Sequence, residues 1–325
     1  MSSIKLTSRY FFNEIPENKK KLDQFGHKAC KISLAKKWQF AVPDTVFLSG
    51  DLVKEIFEKK HIPAEILLHL KGKFLAIRPS PVIDQFKKNE PFLYIGLEDE
   101  SYDVLRHRVG VKKASEIYLR FLRMFALTVY SLDLENCDEL RGLLESSKSQ
   151  EPVSVESSLS KISRIKQLIS LEMGSSFPKN TSDQLIEVID SIYKSWISPT
   201  QRILRDVSGR KSDELIPVIL QEMQFGLEDK PVEYFKVQNF DDKTGKSSYK
   251  CFRSDKNMDR SSLNQVSEEA AGRAPKLKKL HNLIQSLTKK VKSPLEVDFL
   301  LDEDTLFLIG LREVALPQKK FIEFV

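Results

Sequence analysis

The sequence predicts an α+β fold: a mixed N-terminal lobe (residues 1–100), a mainly helical segment packing partly on it (101–214) and a strand-rich C-terminal lobe (215–325). Three observations carry that expectation. Helical and strand-like stretches alternate over the first hundred or so residues, an apolar stripe at helical spacing fills the middle, and short β-rich runs crowd the region after Leu215. A chain of 325 residues is long enough for one large core or two lobes of ordinary size.

Lys28 to Lys36 reads as a helix, and Phe40 to Leu48 as a strand with Pro43 near its entrance. Asp51 to Lys60 is helical, Pro63 starts a short helix, and Lys73 to Arg78 is an apolar strand closed by Pro79 and Pro81. Val82 to Pro91 reads as a polar loop. From Ser101 to about Leu134, Ile117, Tyr118, Phe121, Leu122, Phe125 and Val129 recur at spacings of three, four and seven, so one broad helix face must be buried core. Glu145 to Ser158 is a Ser/Glu-rich surface linker, and Ser160 to Met173 is helical again. Asp183 to Trp196 forms a further helix, capped by Thr181 or Ser182 and halted near Pro199. Strands are expected at Ile216 to Met223, Tyr234 to Val237 and Ser248 to Phe252, with a turn at Asp241 to Gly245. A helix from Lys276 to about Val291 precedes a hairpin whose strands are Leu295 to Leu301 and Thr305 to Leu311.

Composition narrows the function. Hydrophobic residues at 41% and charged residues at 30% suit a water-soluble chain, and no apolar run approaches the roughly 18 to 20 residues a membrane helix needs. The N-terminal MSSIKLTSRYFFNEI lacks the basic and apolar regions of a secretory signal, so a cytoplasmic protein with no membrane partner is expected. Cys30, Cys137 and Cys251 are far apart and form no CxxC pair, and His27, His61, His69, His107 and His281 have no metal-ligand spacing. The net charge, 52 − 46 = +6, comes from scattered lysines without a basic stripe, which argues against a nucleic-acid partner.

Four separated segments resemble, in order, the nucleotide-binding domain of the pyruvate phosphate dikinase and phosphoenolpyruvate synthase family. The first is Phe25-Gly26-His27-Lys28-Ala29-Cys30-Lys31-Ile32 followed by Val42 to Phe47, similar to Gly-Gly-Lys-Gly-x-Asn-Leu and Pro-x-Gly-Phe. The second is Leu75-Ala76-Ile77-Arg78-Pro79-Ser80, similar to Val-Arg-Ser-Ser, continuing to Ile95-Gly96-Leu97-Glu98-Asp99. The third is Tyr118-Leu119-Arg120-Phe121 with Ser195-Trp196 and Pro199 downstream. The fourth joins Gln221 to Gly226, Glu296-Val297-Asp298-Phe299 and Leu306 to Arg312.

The resemblance implies an ATP-grasp-like fold, with two lobes around a nucleotide cleft, and an ATP-dependent phosphotransferase module using ATP and magnesium. Lys28, Arg78 and Arg312 match the family's phosphate-binding cations, with Arg78 and Arg312 in the catalytic role of stabilising the transferring phosphoryl group. Gln221 and Met223 lie where the adenine would be read, and core packing is an equal reading of Met223. Glu296 and Asp298 are two apart on a predicted strand, so both carboxylates project from one face about 7 Å apart, an arrangement suited to magnesium. An acidic surface strand is the competing reading.

Other positions depart from the family. Its glycine-rich phosphate loop is replaced by Asp84-Gln85-Phe86-Lys87-Lys88-Asn89-Glu90, and Gly310 stands where a metal-coordinating glutamine is expected. Asn239 to Asp242 lacks an arginine of the pattern, and the region of Cys251 to Arg253 lacks a carboxylate. Because nothing follows residue 325 here, the phosphoryl acceptor is expected to be a protein carrying a phosphorylatable histidine or a different small molecule. The alternative is a catalytically degenerate protein serving as a nucleotide sensor or protein-interaction module.

Overall fold

A computed structural model of the chain describes residues 9–12, 14–16, 19–82, 91–145, 154–240, 247–254, 263–266, 275–291 and 293–314. The segment Asp84 to Glu90 and the turn Asp241 to Gly245 lie outside the described residues. The architecture is α+β, with two five-stranded sheets whose paired strands all run antiparallel. The chain divides into two compact units, Met1–Cys30 with Asp44–Met223 and Leu227–Asp229, and Lys31–Pro43 with Gln224–Gly226 and Lys230–Val325. No helix among the described residues is long and apolar enough to cross a membrane.

In the first unit the sheet order is β1 (Tyr10–Phe12), β2 (Thr45–Leu48), β5 (Val218–Glu222), β3 (Leu75–Pro79) and β4 (Phe92–Ile95). All of β2 is buried, as expected of a strand covered on both faces. Helix α1 (Lys19–Lys37) is broken by the non-helical Gly26. After β2 the chain turns into α2 (Gly50–Lys59), where Ser49 caps the helix by accepting from the Leu52 amide at 3.2 Å, and α3 (Ala64–Leu70) follows.

The stripe expected to form one long helix from Ser101 is divided. Helix α4 (Asp99–Val109) stops at Gly110, which has φ +80 and no room for a Cβ beside the Glu228 carboxylate, and α5 (Val111–Met124) starts beyond it. The stripe is nonetheless core: Ile117, Tyr118, Phe121, Leu122 and Phe125 are buried. A wide π-type turn, Phe125–Val129, ends the run. Helix α6 (Asp138–Glu145) precedes α7 (Val155–Met173), which begins inside the stretch read as linker because Ser154 caps it through the Ser157 amide.

Helix α8 (Thr181–Ile197) is capped by Asn180, one residue before the caps expected; it ends just before Pro199, as expected, and Pro199 opens α9 (Pro199–Val207). Ser198 serves both ends, closing α8 and capping α9. Arg205 of α9 is buried, stacks 4.2 Å over Trp196, and donates to the Trp196 and Ser212 carbonyls at 2.8 and 2.9 Å. It thereby ties the end of α8 to the segment that leads into β5.

The second unit contains the sheet β10 (Thr305–Glu313), β9 (Leu295–Asp302), β6 (Glu233–Phe240), β7 (Ser247–Ser254) and β8 (Leu263–Gln265). Helix α10 (Pro275–Val291) buries Leu277, Leu280, Ile284 and Leu287 in one core with Phe235, Val237, Val297, Phe299 and Leu301. Strand alternation then sends Glu296, Asp298 and Leu300 to the opposite face. The β9–β10 hairpin has the expected strands, extended by one or two residues at their ends.

Replacing Arg205 with alanine removes the donors to the buried Trp196 carbonyl and to Ser212 and leaves a cavity beside Trp196. The expected loss is about 3 to 5 kcal/mol of stability, read from the urea midpoint.

Candidate functional site

Two groups of residues carry the chemistry foreshadowed in the sequence, one in each unit. In the first unit, Gly26 has φ +75, and a Cβ built on it would lie 1.5 Å from the Ser80 carbonyl oxygen. Only glycine fits such an approach. Ser80, fully buried, donates from Oγ to the Phe25 carbonyl at 2.9 Å and accepts from the Ala29 amide at 3.0 Å. The His27 amide donates to the Pro81 carbonyl at 3.2 Å, and the Ser80 amide to Pro217 at 2.9 Å. Phe25 to Ala29 and Arg78 to Pro81, half a hundred residues apart in sequence, are therefore one clasped structure. Lys28 sits in the first and Arg78 in the second, both half-buried.

Arg78 lies opposite Ile219 in the β3–β5 register, and its Nη1 reaches the Gln221 side-chain oxygen at 3.5 Å, the outer limit of a hydrogen bond. Gln221 is itself buried and donates to Thr45 Oγ1 at 3.4 Å. Its position makes it a support for the guanidinium. Met223 is buried too: its sulfur accepts from the Tyr94 amide at 3.2 Å, and its own amide donates to Phe74 at 2.8 Å. The Glu222 amide is likewise used, by the Asp44 carbonyl at 2.8 Å. Main-chain N–H groups at Glu222 and Met223 are thus committed to the fold, and of the two readings of Met223 the geometry favours packing.

The end of β5 is also electrostatically charged. Burial opposes ionisation of Asp44, yet the hydrogen bond from Lys73 and the charges of His69 and Lys73 outweigh it and hold the carboxyl below its usual range. Burial pushes Glu222 upward, against the pull of Lys73.

In the second unit, cross-strand register aligns Gln238, Glu296 and Arg312 in one row and Lys236, Asp298 and Gly310 in the next. Arg312 Nη2 donates to Glu296 Oε1 at 2.6 Å, while Lys236 Nζ at 3.0 Å and Gln238 Nε2 at 3.1 Å both address Glu296 Oε2. Asp298 Oδ1 accepts from the Tyr234 hydroxyl. Its other oxygen occupies the space over Gly310, 2.8 Å from where a Cβ would stand.

These neighbours decide what the carboxylates can hold. Magnesium requires oxygen ligands in near-octahedral order, and cations already sit on both oxygens of Glu296. Among the described residues no three His, Cys, Asp or Glu side chains gather as a metal site. The donor set as folded does not fit magnesium.

Lys236, Gln238 and Tyr234 went unnoticed in the sequence because nothing local marks them; only strand register brings them to Glu296 and Asp298. Ser80 had a faint signal, a polar residue held between Pro79 and Pro81 at the end of an apolar strand.

No protein-family model matches the chain. Among curated proteins it is similar to pyruvate, phosphate dikinase of Rhizobium meliloti (strain 1021), 30% identical over 141 residues that cover 41% of this chain and 15% of that protein. It is also similar to chloroplastic pyruvate, phosphate dikinase of Flaveria trinervia, 24% identical over 176 residues covering 52% of this chain and 18% of that one. The enzyme of Flaveria bidentis matches at 25% over 158 residues, 47% of this chain and 16% of the relative. The similarity is distant and partial, and the chain spans 15% to 18% of the length of these relatives.

The clasp makes a direct prediction. Ser80→Ala leaves the Phe25 carbonyl and the Ala29 amide without their partner and should cost about 2 kcal/mol or more, and Gly26→Ala roughly 3 kcal/mol or more, in urea denaturation.

Proposed function

We propose that this chain is a nucleotide-binding module related to that of pyruvate phosphate dikinase, with an ATP-grasp-like fold and ATP as its ligand. The observation that carries the reading is the Ser80 clasp. Two segments that resemble separate family motifs are held against one another by a buried hydroxyl, and each delivers a cation, Lys28 or Arg78.

The chain's own groups supply binding and charge. Arg78 presents a planar fork that can take two phosphate oxygens at once, with Gln221 restraining its orientation. Lys28 adds a point charge on the neighbouring helix. In the second unit Arg312 is the phosphate-binding cation that the resemblance implies, its side chain 40% exposed and so open to an incoming anion. Where phosphoryl transfer takes place, cations of this kind stabilise the charge spread over the transferring group.

A second reading is favoured by a specific observation. Gly310 offers no metal ligand and Glu296 is already paired with two cations, features of a domain that binds nucleotide as a sensor or interaction module without transferring phosphate. Magnesium, in the transferring form, would add charge neutralisation at the phosphates. No step is assigned to it, because Glu296 and Asp298 do not present a site for it.

Calorimetric titration with ATP tests the binding. Wild type should bind, and Arg78→Ala should weaken affinity about tenfold or more, equivalent to roughly 1.4 kcal/mol or more; no binding at millimolar ATP would defeat the proposal. Incubation with γ- and β-labelled ATP then separates the two readings, since transfer releases ADP or AMP or labels protein and sensing does neither.

A further inference from the structure

We propose that Lys236 takes the place of a divalent cation on the polar face of the second sheet, so that this chain binds the phosphates of its nucleotide without a metal. The inference rests on the nucleotide-binding reading and specifies how the second unit meets the ligand.

The argument begins with charge. Glu296 and Asp298 bring two negative charges to adjacent rows of one sheet face, and Lys236 and Arg312 bring two positive ones to the same rows. The cations converge on a single carboxylate, Arg312 on one oxygen of Glu296 at 2.6 Å and Lys236 on the other at 3.0 Å. The Glu296 side chain is only 11% exposed, so its charge has little water to rely on and these contacts supply its solvation. A metal ion arriving alone must displace an ammonium or a guanidinium from a half-desolvated carboxylate and then face both cations at close range.

The second carboxylate adds to that obstacle. Asp298 accepts from Tyr234 and leans over Gly310, whose lack of a side chain also removes a ligand from the row. A metal ion there would compete with the Tyr234 hydroxyl for Asp298 Oδ1, and Gly310 opposite supplies no side-chain ligand.

An incoming polyphosphate meets different terms. Arg312 has five N–H donors in a fork, and Glu296 takes one of its terminal nitrogens; Lys236 has three donors on a flexible stem and is 28% exposed. Both can keep a donor on Glu296 and turn others to phosphate oxygens. Each then supplies the positive charge that a magnesium ion supplies elsewhere, while Glu296 fixes where that charge stands. The ligand class is a nucleoside di- or triphosphate in its metal-free form.

The experiment is calorimetric titration of the full chain with ATP in buffer containing EDTA and again in excess magnesium. Wild-type affinity should agree between the two within about threefold. Lys236→Met, which keeps most of the stem and loses the charge, should bind about tenfold or more weakly in EDTA and recover part of that loss in magnesium. Lys236→Arg should keep its EDTA affinity, and it decides the matter with wild type if thermal unfolding shows the methionine variant misfolded. Wild-type binding only in magnesium, or Lys236→Met binding as tightly as wild type in EDTA, overturns the inference while leaving the nucleotide reading standing. Absence of wild-type binding in both buffers defeats the nucleotide reading, and this inference with it.

Discussion

At Gly26 the backbone passes so close to the Ser80 carbonyl that no side chain fits between them, and the rest of the first unit's candidate chemistry is arranged around that approach. The left-handed φ at Gly26 breaks α1 and restarts it at His27, which aims the Ala29 amide at Ser80 Oγ. Ser80 in turn is held by its amide to Pro217, one residue before β5. One residue thus joins the broken helix, the end of β3 and the start of β5. A hydroxyl that both donates and accepts suits this place, since both backbone partners are buried and either left alone would cost its full desolvation. Lys28 takes its position from that arrangement, and Arg78 from the β3–β5 pairing that leads into it.

The second unit solves a different problem. Its sheet is antiparallel with one face covered by α10, so alternation delivers every second residue of β6, β9 and β10 to a face that α10 does not cover. Placing Glu296 there at low exposure requires partners, and they come from both neighbouring strands, Gln238 and Lys236 from β6 and Arg312 from β10. The register that creates the apolar core therefore also creates the charged face. A slip of one residue would bury the charges and expose Val297 and Phe299.

What the sequence discloses follows from how local each determinant is. The α+β class, the strands of the β9–β10 hairpin, α10 and the buried stripe from Ile117 to Phe125 all rest on periodicity within a dozen residues, and they read correctly. The break at Gly110 goes with its left-handed φ of +80 and lies ahead of Ile117, the first residue of the apolar stripe, so the stripe's periodicity gave no warning of it. The pairing of β5 is equally invisible: Val218 to Glu222 has strand character, but its place between β2 and β3 is decided by partners distant in sequence. Among the candidate residues, Lys28 and Arg78 of the first unit and Glu296, Asp298 and Arg312 of the second stand out by resemblance, whereas Lys236 and Tyr234 join the second unit's group only through register.

Gly310 and Lys236 meet at Asp298, which lies opposite both in the strand register. The resemblance expects a metal-coordinating glutamine at 310, and any side chain there would begin 2.8 Å from an Asp298 oxygen. At Gly310 glycine leaves room for one Asp298 oxygen over the strand while the other accepts the Tyr234 hydroxyl. Glu296, only 11% exposed, carries a charge that burial makes expensive. Lys236, in the row beside it, supplies the missing positive charge at the distance of an ion pair. Restoring the glutamine by itself would therefore crowd Asp298 without removing Lys236 from Glu296. Loss of Lys236 is the change that takes a cation off Glu296 Oε2.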